Sequence, residues 1–360
     1  MFLECFSQCL NSDEEMRSMK IDRELKNQRR KLRQQVRILL LGSGESGKST
    51  FLKQMVIIHG RGEFTNDEVT QYKQIIYQNC INSMRVLIQA KENFGLKWAR
   101  ANSLEYANHI LKIPNSSTNV DANTFIFLSN FIGNLWQDPC IQMTYDRRNE
   151  FQLVDSCKYF FDNIGRISQI DYFPTNRDIL MSRKATRSIT EHLFHIQNIP
   201  FLFVDVGGQR SQRQKWFQCF DGIVTAILFL FASNEYDQVI LEDKKTNRVV
   251  ESIALFETIV NNKFFSNIAL ILFLNKTDLL IDKLPKSSFT RYFPDYKGDR
   301  FDVKQVQLFL LNKFDSVRKN RHRCFFFHST TAIDTENIRT VFNDCKKVIL
   351  EQNLRSLLMQ

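Results

Sequence analysis

The chain has 360 residues, enough for one large core or two ordinary ones, and apart from 32 phenylalanines its composition is that of a soluble globular protein. A net charge of +10 suits an anionic partner, and no apolar run approaches the roughly 18 residues a membrane span needs. The eight cysteines show neither metal-ligand spacing nor disulfide-scaffold density, so a reduced, intracellular protein is expected.

The apolar stretch at the start is short and carries Glu4, so no secretory signal is expected. Residues 13–35 contain neither Gly nor Pro and predict one long polar helix, with too little apolar surface to fold alone. Between residues 20 and 37 the cations Lys20, Arg23, Lys26, Arg29, Arg30, Lys31, Arg33 and Arg37, against only Asp22 and Glu24, give either a solvated face or a membrane-facing one. Residues 36–41 read as a buried strand.

The glycine-rich stretch GSGESGKST then runs from Gly42 to Thr50 and predicts a phosphate-binding P-loop. Gly42, Gly44 and Gly47 let the main chain approach phosphate oxygens in unusual dihedrals, with Glu45 and Ser46 between them. Lys48 supplies a point charge for the β and γ phosphates, and Ser49 a hydroxyl for Mg²⁺. A helix from Ser49 to about Ile58 aims its positive end at the same anion.

Residues 63–180 change to helix after helix, as in the spacing of Ile76, Cys80, Met84 and Leu87, and predict an inserted helical domain. The strand pattern resumes at residues 192–197, 199–206, 224–232, 268–275 and 323–329. The class is therefore α/β, with a mostly parallel sheet. The first two of these runs are joined too tightly for a crossover and should form an antiparallel hairpin. A last helix places Ile338, Val341, Phe342, Cys345, Val348 and Ile349 on one face, before an apolar tail of Leu354, Leu357, Leu358 and Met359. That tail is either frayed or a docking peptide.

Three motifs at strand ends resolve the nucleotide. In DVGGQ, Asp205 suits a Mg²⁺-bound water and the Gly208 amide a γ-phosphate. In NKTD, from Asn275 to Asp278, a carboxylate matches the two donors of the guanine edge, which adenine lacks. After the last strand come Thr330, Thr331 and Ala332, whose backbone suits the guanine oxygen. An adenine-specific P-loop protein would need NKTD to be a coincidence. A role in nucleic-acid binding is not expected, because the basic excess lies on a terminal helix.

From about Lys20 to Met359 the sequence resembles the α subunits of heterotrimeric G proteins. The resemblance implies a Ras-like P-loop GTPase domain at residues 36–62 and 181–360. It also implies an inserted all-helical domain at residues 63–180 and an N-terminal helix at residues 1–35. It implies phosphoryl transfer from GTP to water, with Gln209 orienting the attacking water and Arg183 offsetting charge on the transferred group. Ser49 and Thr186 match the protein ligands of Mg²⁺, with Asp205 acting through water. Glu45 is placed to hold Arg183, while Asp155, with its neighbour Ser156, and Lys276 match contacts at the nucleotide cleft. Arg213 and Glu251 match an ion pair formed when GTP is bound. The presence of both Arg183 and Gln209 opposes a scaffold that binds without turnover.

The same resemblance implies GTP and GDP as ligands and Mg²⁺ as cofactor. It implies a βγ dimer bound through the N-terminal helix and Lys215 and Trp216, and a seven-helix receptor at the C-terminal tail. An effector of unspecified identity is implied as well. The protein would lie at the cytoplasmic face of the plasma membrane.

Several positions depart from the family. Phe2 replaces the Gly needed for myristoylation, which leaves Cys5 and Cys9 as candidate acylation sites. Arg187 and Ser188 stand where Thr and Gly are usual and should obstruct regulators that accelerate hydrolysis. Ile333 replaces a usual Thr beside Ala332, an expected source of faster GDP exchange. Leu357 replaces the Cys that pertussis toxin modifies in one subclass, and Gln360 replaces a common aromatic terminus.

Overall fold

The central strands of the sheet are apolar at almost every position because both of its faces are covered. The structure, a computed structural model, describes residues 35–114, 120–186, 188–219, 224–266 and 268–358, with residues 19, 20 and 23. The expectations for Phe2, Cys5, Cys9, Arg187, Met359, Gln360 and most of residues 13–35 lie outside the described residues.

The strands are β1 (Val36–Leu41), β2 (Thr190–Ile196), β3 (Ile199–Asp205), β4 (Ala226–Ala232), β5 (Ala269–Asn275) and β6 (Phe325–Ser329). They form one sheet in the order β2-β3-β1-β4-β5-β6. Every pairing is parallel except β2 with β3. The expected hairpin is present, and it turns through Gln197 and Asn198, both with positive φ (51° and 63°), as a two-residue turn requires. Strands β4 and β5 are buried at all positions, as strands covered on both faces must be, whereas β2 at the sheet edge alternates.

One face packs on the helices Arg248–Val260 and Val303–Ser316, through Phe256, Leu310 and Phe314 against Phe229 and Phe231. The other packs on Lys48–His59 and Thr335–Leu358. Here Phe51 meets Phe273 edge-on at 5.7 Å and Phe342 at 6.3 Å, so the helix after the P-loop and the terminal helix share one aromatic core. Truncating Phe342 to Ala would cost about 3–5 kcal/mol.

Between β1 and β2 the elements among the described residues are helices. The long helix Asn66–Asn93 opens with a capping box, Thr65 and Glu68 bonding reciprocally. Its Ile76, Tyr77, Cys80, Met84 and Leu87 build a separate core with Ala122–Trp136 and Cys157–Asp162, and Tyr77 stacks on Phe125 at 3.8 Å. The chain returns to the sheet through Asn176–Met181, whose capping box pairs Thr175 with Asp178.

Strand limits differ from the sequence expectation by up to two residues at the N-terminal end and by at most one at the C-terminal end. Val224 and Thr225 precede β4, although the Thr225 amide still donates to Arg37 O at 2.8 Å. The terminal helix runs on to Leu358, so Leu354 lies within it, 60% exposed, rather than on a separate tail.

Candidate nucleotide-binding and hydrolytic site

The residues of the four motifs gather at the carboxyl ends of β1, β3, β5 and β6. The loop after β1 turns with Gly42 at φ 143° and Gly47 at φ 100°. A Cβ at Gly42 would lie 2.2 Å from Leu230 O, and one at Gly47 would lie 2.2 Å from Asn275 Nδ2, so neither position admits a side chain. The expectation for Gly44 is corrected: it does not take a positive φ, whereas Glu45 does, at 67°. Nor is Gly44 crowded, since a Cβ there would lie 3.4 Å from Gln209 Cγ, ordinary contact distance.

The helix Lys48–His59 begins at Gly47 with no side-chain cap, which leaves its first amides to an anion. Lys48 Nζ donates to Ser43 O at 2.8 Å, Gly42 O at 3.0 Å and Ser46 Oγ at 3.3 Å. Burial pulls its pKa down to about 8, against the opposing charge of Asp205. Thr50 follows on the first helical turn, half-buried. A Cβ on Gly208 would lie 2.5 Å from Lys48 Nζ and from the carbonyls of Gly42 and Ser43, so the DVGGQ loop lies directly against the P-loop.

Three oxygen donors converge beside this loop. Ser49 Oγ donates to Asp205 Oδ2 at 2.8 Å and sits 3.0 Å from Thr186 Oγ1, which in turn lies 3.4 Å from Asp205 Oδ2. Asp205 Oδ1 is buried without a hydrogen-bond partner among the described residues. Burial raises the pKa of this carboxyl, with Lys48 opposing. Two hydroxyls and one under-satisfied carboxylate form the hard donor set that Mg²⁺ takes alongside phosphate and water, so these residues fit the ion.

At the ends of β5 and β6, Asn275 ties the loops together. Its Nδ2 donates to Ser46 O at 2.8 Å, and its Oδ1 accepts from Ala332 N at 3.0 Å and Thr330 Oγ1 at 3.1 Å. Gln54, fully buried, donates to Ala332 O at 3.0 Å. Asp278 is half-buried, and burial raises its pKa. Ser156 Oγ is buried without a partner among the described residues.

Arg183 Nη2 pairs with Glu45 Oε1 at 2.7 Å. From Glu45 an alternating chain of charges continues through Arg248 (3.4 Å), Glu235 (3.2 Å) and Lys276 (3.0 Å) to Asp155 (2.7 Å). Burial alone would lower the pKa of Lys276, but Asp155, Glu235 and Glu45 outweigh it and raise the pKa. Both ends of this chain of charges are legible in the sequence, whereas Arg248 and Glu235 in its middle are not.

The segment after Gln209 forms a 3-10 run, Arg210–Cys219. Glu251 Oε1 accepts from Arg213 and Oε2 from Arg210, both at 2.6 Å, and Arg210 is an addition to the expected pair. Trp216 is buried and donates to Gly207 O at 2.9 Å, while Lys215 is exposed. Gln209 is exposed and lines a cleft of about 40 Å³ with Gly44, Glu45 and Gly208.

A P-loop, an oxygen set for Mg²⁺ and a base-side Asn and Asp at parallel strand ends define a nucleotide hydrolase of the switch class. The family model described as G-protein alpha subunit matches residues 15–349. The chain is 55% identical over 354 residues to the guanine nucleotide-binding protein alpha-12 subunit of Caenorhabditis elegans, covering 98% of this chain and 99% of that protein. It is 50% identical over 345 residues to human alpha-12, covering 96% and 90%, and 45% identical over 366 residues to human alpha-13, covering 99% and 97%. The chain therefore belongs to the G-protein α subunit family.

As such it is a GTP-binding and GTP-hydrolysing signalling switch that uses Mg²⁺ and works with βγ subunits, receptors and effectors. Subunits of this family are peripheral proteins. Among the described residues no helix is long and apolar enough to cross a membrane.

Proposed function

We propose that hydrolysis runs through Gln209 and Arg183. The convergence of Ser49, Thr186 and Asp205 beside Lys48 is the observation that carries this reading. Asp278 accepts from the N1–H and exocyclic amine of guanine, while Asn275 keeps the P-loop and the Ala332 loop in register. Gly42, Glu45, Ser46, Gly47, Thr50 and Gly208 shape the phosphate cradle, and Ser156 and Lys276 close on the nucleotide from the side of Asp155.

Lys48 places its charge on the β and γ phosphates. Mg²⁺, held by Ser49, Thr186 and, through water, Asp205, supplies neutralisation of phosphate charge when bound. Gln209 orients a water for attack on the γ-phosphorus; the bond from that phosphorus to the β-γ bridging oxygen breaks, and GDP and inorganic phosphate result. Arg183, steadied by Glu45, offsets the charge that develops.

We further infer that residues 63–180 form a helical domain that covers the nucleotide, and that residues 36–62 and 181–360 form the GTPase domain. Residues 1–35 contact βγ and the membrane, with Cys5 and Cys9 acylated at the cytoplasmic face of the plasma membrane. Trp216 is buried here, so a βγ surface that includes it must be remade in the GDP state. The terminal helix, with Leu354 exposed, is the receptor contact. The identities to alpha-12 subunits favour an alpha-12-type role. The nucleotide assignment is tested by competition: unlabelled GTP should displace bound labelled GDP and ATP should not, and Asp278→Asn should weaken GTP. Equal displacement by ATP would remove the guanine reading.

A further inference from the structure

We propose that Asn79, on the first helix of the insertion, is a positioning residue for Arg183 and makes the arginine's catalytic placement depend on the insertion being closed. This rests on the assignment of Arg183 above. Asn79 Nδ2 donates to Arg183 O at 2.9 Å, and Asn79 Oδ1 accepts from Arg183 N at 2.7 Å. A carboxamide has one donor and one acceptor face suited to the two polar groups of a single residue's backbone, and here both are used. The side chain of Arg183 is left free to pair with Glu45 of the P-loop.

The preceding residues are held from the opposite side. Lys53, on the helix after the P-loop, donates to Ile179 O and Ser182 O, each at 2.7 Å, and to Ser182 Oγ at 3.1 Å. The Ser182–Arg183 segment is therefore clamped by one side chain from the sheet-packed part of the chain and one from the inserted helices. Were the inserted helices to move away, Lys53 would stay in place, because it belongs to a helix packed on the sheet, and Asn79 would leave with its own helix. The Arg183 backbone would then lose both partners at once, and a guanidinium that must sit within a fraction of an ångström of a developing charge would lose its anchor. An open protein would bind and release nucleotide without hydrolysing it.

The test is a double-mutant cycle on the full chain, comparing wild type, Asn79→Ala, Arg183→Ala and the double variant. Single-turnover hydrolysis of preloaded GTP is read alongside binding of a non-hydrolysable GTP analogue and of GDP with aluminium fluoride. Asn79→Ala should slow hydrolysis ~10- to 100-fold and weaken the aluminium fluoride complex while leaving analogue affinity within about twofold. In the Arg183→Ala background it should add nothing, because the group it positions is gone.

Asn79→Asp is the second variant, nearly isosteric. It keeps the acceptor for Arg183 N but sets an oxygen against Arg183 O, and should slow hydrolysis as much, so a fold defect in the alanine variant does not decide the matter. Unchanged hydrolysis in both Asn79 variants would overturn the proposal, as would an equal loss with and without Arg183. Wild-type hydrolysis by Arg183→Ala would instead remove the assignment of Arg183 on which the proposal rests.

Discussion

Lys276 Nζ lies 2.7 Å from Asp155 Oδ2 and 3.0 Å from Glu235 Oε1, so one ammonium joins the base-side strand end to the inserted helices and to the end of β4. Glu235 is almost fully buried and also faces Arg248 at 3.2 Å. Removing its charge leaves two cations short of a counter-charge, a change that costs about 3 kcal/mol or more when a buried pair is broken. Glu235→Gln is predicted to release GDP at least ~10-fold faster, and Asp155→Asn, at a more exposed pair, to do so less. Dissociation of a fluorescent GDP analogue measures both, and an unchanged off-rate in Glu235→Gln would show that this chain of charges does not hold the cleft shut.

Glu251 gathers Arg210 and Arg213, and the hydrogen bond from Arg210, with Arg213 beside it, keeps its carboxyl below the usual range. Arg213 also donates to Gly208 O at 3.3 Å, which links this pairing to the loop against the P-loop. Glu251→Gln should weaken both charge-assisted bonds and loosen the segment that buries Trp216. The fluorescence change of Trp216 on exchanging GDP for a GTP analogue should then shrink by half or more, while GDP affinity stays near wild type; a full-sized change would remove Glu251 from the switch.

Burial lowers the pKa of Lys53 from 10.5 to about 7. Between those values the unfolded chain binds a proton that the folded chain does not, so this group makes stability rise with pH across that window. Its destabilising effect is fully present below about pH 7. Comparing the melting temperature of wild type and Lys53→Met from pH 7 to 9 should show wild type gaining on the variant as pH rises. Parallel curves would mean that the three oxygen acceptors hold Lys53 charged throughout.

Ser188 is exposed two residues after Thr186, where a regulator of hydrolysis is proposed to pack. With Arg187 it is proposed to obstruct proteins that accelerate hydrolysis. Wild type should respond weakly to such a regulator, and Ser188→Gly should restore most of the response with intrinsic hydrolysis unchanged. Strong acceleration of wild type in a single-turnover assay would contradict this.

The parts of this site that the sequence announces are local: GSGESGKST, DVGGQ and NKTD each place chemistry within a few residues of a strand end, and the apolar runs of β1, β4 and β5 are unmistakable because both faces are buried. What stays hidden is non-local and polar. Asn79 meets Arg183 across 104 positions and Arg248 meets Glu45 across 203, and neither residue type signals its partner through spacing. Arg210 carries no signal of its own because Arg213 already satisfies the expected pair with Glu251, although one carboxylate has room for two guanidinium groups. The positive φ falls on Glu45 and not on Gly44 because a glycine permits unusual dihedrals without requiring them.

Gln209 and Arg183 are proposed to act on a phosphate held by Lys48 beside Mg²⁺. Single-turnover hydrolysis of GTP by purified protein, wild type against Gln209→Leu, tests this most directly. Across this class of enzyme the arginine supplied in cis is worth roughly 10³-fold or more, and the water-orienting Gln acts on the same step. Both proteins should bind GTP and Mg²⁺ alike while only wild type converts GTP to GDP. Equal hydrolysis by the two would contradict the assignment of Gln209 and send the search for the water-orienting group elsewhere in the cleft.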